Sequence, residues 1–292
     1  MLKVIYVQKH IGIVMRVRFS YTRLQSRSRN FHRITGISIE QFEEIALRCE
    51  QEWEKKIIKP KKLAGRPYGV GDLREHLLTL LIYYRCYTTQ EFIGMLYGVD
   101  DSCICRSIQR IEPILAKVVA IKKDRTLTQK DLETIIIDCT EQPIERPKKR
   151  QKRHYSGKKK QHTLKTEIQI TEGGRIVSTS KSHPGKVHDF EIRKRGSPLS
   201  GNSRAYGDSG YQGLDKLHKE TEIPYKKPKN GQLSSEEKEY NGGLSRFRVR
   251  VENKIRELKI FRIICERYRN KRKRYGLKFN IVAGIVNFKN GF

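Results

Sequence analysis

No apolar run in this sequence approaches the ~18 residues a membrane-spanning helix needs. The opening stretch, MLKVIYVQKHIGIVMRVRF, is broken by Lys3, Lys9 and His10, where a secretory leader requires an uninterrupted apolar centre. No membrane partner is therefore expected. Paired cysteines are missing as well. Cys49, Cys86, Cys103, Cys105, Cys139 and Cys265 are scattered, and none has the C-x2-C spacing of a tetrahedral zinc site. They read as reduced thiols of an intracellular protein. Acidic residues are scarce: 32 Asp and Glu face 62 Lys and Arg, a formal charge of +30. Such a surface draws in polyanions, which makes nucleic acid the expected partner. Charge by itself does not separate an enzyme from a basic DNA- or RNA-binding protein.

A chain of 292 residues exceeds the roughly 250 at which a single core stops growing, so two domains are expected. Met15 is followed by a basic polar stretch like an ordinary start, and residues 1–14 are set aside as a start-site artefact or a disordered lead. Residues 15–125 read as a helical DNA-binding region. Within it, 39–58 carries Phe42, Ile45 and Ala46 at helical spacing, and a Lys-, Pro- and Gly-punctuated connector follows. Gly65-Arg66-Pro67 in that connector has the composition of a minor-groove hook.

Residues 73–119 read as a helix-turn-helix: helices over 73–86, 88–97 and 101–111, with Thr88 or Thr89 as a cap and Gly98-Val99-Asp100 as the turn. Gly94 allows the helices to cross closely. Ile93, Tyr97, Val99, Ile104, Ile108 and Ile111 form an inner face. Ser102, Arg106, Gln109 and Arg110 then lie outward, with side chains suited to phosphates and base edges. A plain helical bundle would show the same residues as a solvated face.

Over 131–292 short strands alternate with helices. ETIIID (133–138) is an apolar strand ending in Asp138, and 165–171 with 175–180 form a hairpin around Gly173-Gly174. Residues 188–195 are a short helix, 204–211 a strand carrying Asp208, 223–228 a further strand, and 249–268 a long helix carrying Glu252. The order describes an α/β domain, a mixed sheet flanked by helices.

Phosphodiester cleavage is served by two divalent cations about 4 Å apart, clamping the attacking and leaving oxygens. Hard cations need carboxylates converging from separate elements. Asp138 closes an isoleucine run, where a charge is costly unless something binds it. Asp208 sits among Gly207, Ser209 and Gly210. On a helix, Arg248, Glu252, Arg256 and Lys259 share one face, while Val251, Ile255, Leu258 and Phe261 share another that can pack on a sheet. Each acid alone also fits a turn former or a surface ion pair.

Asp138-Cys139-Thr140 and the residues after it, HYSGKKKQHTLK, HDFEI, GDSGYQG, and the final R-x3-E-x6-K of Arg248, Glu252 and Lys259 together resemble bacterial insertion-sequence transposases of the insertion-sequence-5 family, related to Harbinger-type nucleases. The resemblance spans roughly residues 70–290, with several motifs in order. It implies an RNase H-like catalytic domain over 131–292 and a DDE triad of Asp138, Asp208 and Glu252 on the first strand, the fourth strand and the helix after the fifth. Those three would be both catalytic and metal-binding, with two Mg2+ ions and Mn2+ as a substitute. The helix-turn-helix would recognise the ends of the element. The signature tyrosine three residues before the arginine is Ser245 here, which removes that phenol.

Residues 146–165 are basic with no acid among them, and Lys158, Lys159 and Lys160 are read as phosphate contacts, as are Arg248, Arg256 and Lys259. A solvated loop is the plainer reading of such a run. Double-stranded DNA (element ends and target), a homodimer in the DNA complex, and a bacterial cytoplasmic, nucleoid-associated location complete the expectation. A transposase-derived DNA-binding protein without cutting activity is the rival.

Overall fold

The computed structural model describes residues 19–60, 68–121, 129–199 and 201–292. The segment 1–14 and the Gly65-Arg66-Pro67 hook lie outside them. The chain divides into two compact units, Met1–Ile114 and Leu115–Phe292.

The first unit is helical. Helices α1 (Tyr21–Gln25), α2 (Ser28–Thr35) and α3 (Ile39–Trp53) are followed by a single π turn, Glu54–Ile58. A capping box between Ser38 and Gln41 starts α3 by satisfying two otherwise orphaned backbone donors. Aromatic side chains bind these helices together: Tyr21 stacks on Phe42 at 4.9 Å, and Phe31 meets Phe42 edge-on at 5.3 Å.

Helices α4 (Leu73–Cys86), α5 (Gln90–Tyr97) and α6 (Asp101–Val118) form the expected helix-turn-helix. Asp72 caps α4 and Thr89, of the two candidate threonines, caps α5. Gly98 closes α5 at φ 65°, the left-handed conformation that glycine adopts at least cost. Ile93, Tyr97, Ile104, Ile108 and Ile111 are buried. A side chain on Gly94 would collide with the Val99 carbonyl, so the tight turn requires its absence. Helix α6 continues beyond the expected 111 because Ile114 and Leu115 prolong its buried stripe.

In the second unit α7 (Gln129–Leu132) precedes β1 (Thr134–Pro143), α8 (Gln151–His154), β2 (Tyr155–Ser156), β3 (Gln161–Thr171), β4 (Ile176–Thr179), β5 (His183–Pro184), α9 (Asp189–Lys194), β6 (Arg204–Tyr206), β7 (Thr221–Glu222), α10 (Ser235–Lys259) and α11 (Tyr275–Lys289). The sheet runs β2-β3-β1-β6-β7, with β4 and β5 also on β3. Neighbours are antiparallel from β4 through β3 to β1 and parallel from β1 through β6 to β7. This is the mixed α/β sheet of an RNase H-like fold, flanked by helices. Fully buried Ile135, Ile136, Ile137, Ile168 and Ile170 make its centre, β-branched residues that fit a pleated surface. Helix α11 is apolar nearly all round and accordingly buried; its Asn287 side chain pairs with both backbone groups of Ile176, extending the β4 edge.

Several boundaries differ from expectation. Strand β1 does not end at Asp138 but runs to Pro143, because β3 pairs with it residue by residue as far as Thr163. The region read as a strand over 204–211 pairs only over Arg204–Tyr206. Residues 223–228 form no strand: Pro224 and Pro228 offer no amide donor, and both backbone groups of Tyr225 are taken by the Asn241 side chain. Helix α10 begins at Ser235, behind a Ser234–Glu237 capping box, and stops at Lys259 rather than 268. Past that point Gln142 binds the carbonyls of Ile263 and Glu266, and Tyr268 donates its N–H to Pro143, so the end of β1 holds the chain out of the helix.

Candidate active site

Asp138 and Asp208 are brought together by strand register. Ile136 on β1 pairs with Tyr206 on parallel β6. Each aspartate lies two residues beyond its member of that pair, so both point to the same face, as the period of two demands. Asp138 is mid-strand, opposite Ile168 of β3. Asp208 stands just past the end of β6 and accepts a hydrogen bond from the Gly210 amide at 2.8 Å, which fixes its side chain at the start of a 3-10 turn.

Burial dominates the electrostatics of Asp138. It pushes the carboxyl from 3.8 up to about 6; the Arg248 guanidinium opposes the rise and neighbouring Asp208 adds to it. Arg248 Nη2 lies 3.9 Å from Asp138 Oδ2. Its Nε is buried and makes no hydrogen bond among the described residues, so the fork keeps a donor for a further acceptor.

A third aspartate borders the pair. Asp189, the first residue of α9, faces Asp208 across Gly210: a Cβ there would lie 2.9 Å from an oxygen of each carboxylate. Lys165 Nζ reaches Asp189 at 2.9 Å and the Val187 carbonyl at 3.1 Å. The basic run thus contributes one lysine beside the acids. Behind them, Tyr211 is fully buried with its hydroxyl 3.3 Å from Cys139 Sγ. Deeper still, Arg193 of α9 meets Glu167 of β3 at 2.5 Å, both almost wholly buried.

Glu252 forms no metal-holding group with the pair among the described residues. It is exposed on α10, one turn beyond Arg248, while Val251, Ile255 and Leu258 bury the neighbouring face. Among the described residues no group of three or more His, Cys, Asp and Glu side chains is placed to hold a metal ion. Arg256 is exposed and Lys259 half-buried on the same helix. Lys158, Lys159 and Lys160 are exposed in the turn between β2 and β3, past the far end of β1 from its isoleucine run. In the first unit Ser102, Arg106 and Gln109 are exposed on α6, whereas Arg110 lies over the Tyr68 ring at 4.4 Å.

Asp189 escaped the sequence reading because an acid opening a helix is ordinary complementarity to the helix dipole. Its visible signal is the HDFEI string, which reads as a short helix and as one of the strings carrying the resemblance, without assigning the aspartate a role.

All six cysteines are free thiols. No helix among the described residues is long and apolar enough to cross a membrane.

Residues 137–287 match the family described as DDE superfamily endonuclease, and residues 70–120 match the helix-turn-helix of DDE superfamily endonuclease. The chain is also 37% identical over 270 residues to a probable transposase for insertion sequence element IS702 from Microchaete diplosiphon, covering 91% of this chain and 96% of that protein.

Proposed function

We propose, from the premise that this chain belongs to the DDE superfamily endonucleases, that it is a transposase which binds the terminal inverted repeats of its own element, cuts there and joins the freed ends to target DNA. The observation that carries this reading is the parallel pairing of Ile136 with Tyr206, which sets Asp138 and Asp208 two residues further along neighbouring strands, with Arg248 beside Asp138, in a chain of formal charge +30. Two neighbouring carboxylates, one of them buried at a cost in its charged form, make an oxygen donor set that suits a hard divalent cation.

Asp138, Asp208 and Glu252 are the residues that would hold two Mg2+ ions, with Mn2+ as a substitute. Glu252 lies one turn from Arg248 on α10, the helix whose Arg248 reaches Asp138. Bound there, divalent ions polarise a phosphoryl oxygen and increase the acidity of an attacking water or 3′ hydroxyl. Arg248 then exchanges its hold on Asp138 for the scissile phosphate, using its buried donor. Arg256, Lys259, Lys158, Lys159 and Lys160 hold the strands by charge. Ser102, Arg106, Gln109 and Arg110 read or position the repeat through α6. Joining two ends calls for a homodimer in the DNA complex, and DNA in a bacterial cytoplasm, at the nucleoid, is the setting.

The test is cleavage of labelled element-end DNA in Mg2+ against EDTA. Wild-type protein should cut only with the cation, and Asp138→Asn, Asp208→Asn and Glu252→Gln should each abolish cutting while retaining end binding. That no group of three such side chains among the described residues is placed to hold a metal ion favours one rival, a transposase-derived protein that binds ends without cutting. Binding without Mg2+-dependent cleavage would establish the rival.

A further inference from the structure

A second feature of the catalytic unit lies away from the carboxylates. At the far end of β1, α8, β2 and the start of β3 enclose an open cavity lined by Arg146, Lys152, Tyr155, His162 and Lys186. Its volume of about 510 Å³ falls within the roughly 300–1,000 Å³ of small-ligand sites. Tyr155 leaves 43% of its surface exposed, so its ring is open to a partner at the cavity. His162 meets the ring edge-on, centroids 5.7 Å apart at 75°, and helps fix its orientation. Three cations, Arg146, Lys152 and Lys186, share the cavity lining with the ring, and no carboxylate is among the lining residues. Two side-chain-bearing residues, Arg150 and Lys160, border this segment in the left-handed conformation that such residues rarely adopt.

An aromatic platform ringed by Arg and Lys matches one ligand chemistry closely: a nucleobase out of its stack, flanked by phosphates. Duplex DNA offers only phosphates and groove edges to such a ring, since its base faces are covered. We propose that this cavity binds an unstacked base of single-stranded DNA, stacked on Tyr155 with its phosphates held by Arg146, Lys152 and Lys186. The inference rests on the reading of the chain as a DNA-cutting enzyme, which supplies single strands when it opens an end. The six residues from Asp138 to Ile144 set the cavity about 20 Å from the first aspartate at strand rise, so it would capture a strand leaving the site rather than the scissile bond.

The test is fluorescence anisotropy with the full-length protein, a labelled strand of ten thymidines, and a duplex of equal length. Salt is raised to suppress phosphate-only binding. Tyr155→Ala should weaken the single strand about tenfold or more, Tyr155→Phe should bind as wild type, and neither should alter duplex affinity. Tyr155→Leu keeps the bulk without the π face and stands in should the alanine variant melt early. Equal affinity of wild type and Tyr155→Ala or Tyr155→Leu for the single strand, or an equal loss on the duplex, overturns the proposal. Cleavage of element-end DNA by the same preparations separates the two claims. A single-strand defect without any Mg2+-dependent cutting rejects the transposase reading alone; normal cutting with no single-strand defect rejects the cavity alone.

Discussion

The Arg248 guanidinium lies 3.9 Å from the Asp138 carboxylate, with the two side chains only 13% and 18% exposed. Arg248, with a smaller contribution from the Cys139 amide, holds Asp138 down against burial and Asp208, so removing it should drive the carboxyl above its present value of about 6. In metal-free Arg248→Ala, titration followed by carboxyl carbon NMR should show that rise. Loss of a preorganised cation from the site should also slow strand cleavage by about a hundredfold. An Asp138 titration unchanged from wild type would remove Arg248 from the electrostatics of the site.

The helix-turn-helix carries its own steric test. Gly94 faces the Val99 carbonyl closely enough that a methyl group must displace backbone, whereas Gly98 has open space around it and only a left-handed φ of 65° to lose. Gly94→Ala should therefore cost about 1–3 kcal/mol as overpacking. Gly98→Ala should cost about 1 kcal/mol from backbone strain. Denaturant unfolding of the two variants ranks them, and end binding should fall with the Gly94 substitution first.

Much of this architecture was legible because local signals and packing agree. Helix α5 announces itself through Thr89 and Gly98, whose capping chemistry is local. Strand β1 was visible from its isoleucines, yet its second half was not, since Thr140 and Gln142 are polar residues buried by tertiary partners. The stretch over 223–228 misled because Ile223 and Tyr225 suggest a strand while the prolines beside them deny the hydrogen bonds. The two aspartates could be named from the sequence, but their adjacency depends on a parallel register between β1 and β6, a contact across seventy residues that no local pattern encodes. Asp189 depends likewise on Lys165, distant in sequence and near in space.

Beneath the site, Glu167 and Arg193 form an ion pair with side chains 2% and 4% exposed. A pair so buried contributes little net stability, but breaking it strands a charge. Arg193→Met should cost about 3–5 kcal/mol, read as a lower denaturant midpoint. Glu167→Gln combined with Arg193→Met should recover most of that loss. Because Arg193 sits on α9 with Asp189, the single variant should also loosen the third aspartate and reduce cleavage more than the double variant does. Equal destabilisation by single and double variants would show that the cost is packing rather than charge.

The helical unit should be acid-sensitive through one histidine. His76 is fully buried, its Nδ1 lies 2.6 Å from Ser107 Oγ, and its ring is 4.8 Å from that of Trp53. Burial, reinforced by Arg110 and opposed by Ser107 and Asp72, lowers its pKa from 6.5 to about 4. Below 6.5 the unfolded chain takes up a proton that the folded unit refuses, so its stability is complete above that pH and declines as the pH falls toward 4. At 1.36 kcal/mol per pH unit, roughly 2 kcal/mol is lost by pH 5 and roughly 3 kcal/mol by pH 4. His76→Gln keeps a hydrogen-bonding side chain beside Ser107 and cannot titrate. Its melting temperature between pH 7.5 and 5 should therefore decline less than that of the wild-type protein, even if the substitution lowers stability at neutral pH. A variant that loses stability as steeply as wild type would assign the acid sensitivity to another group.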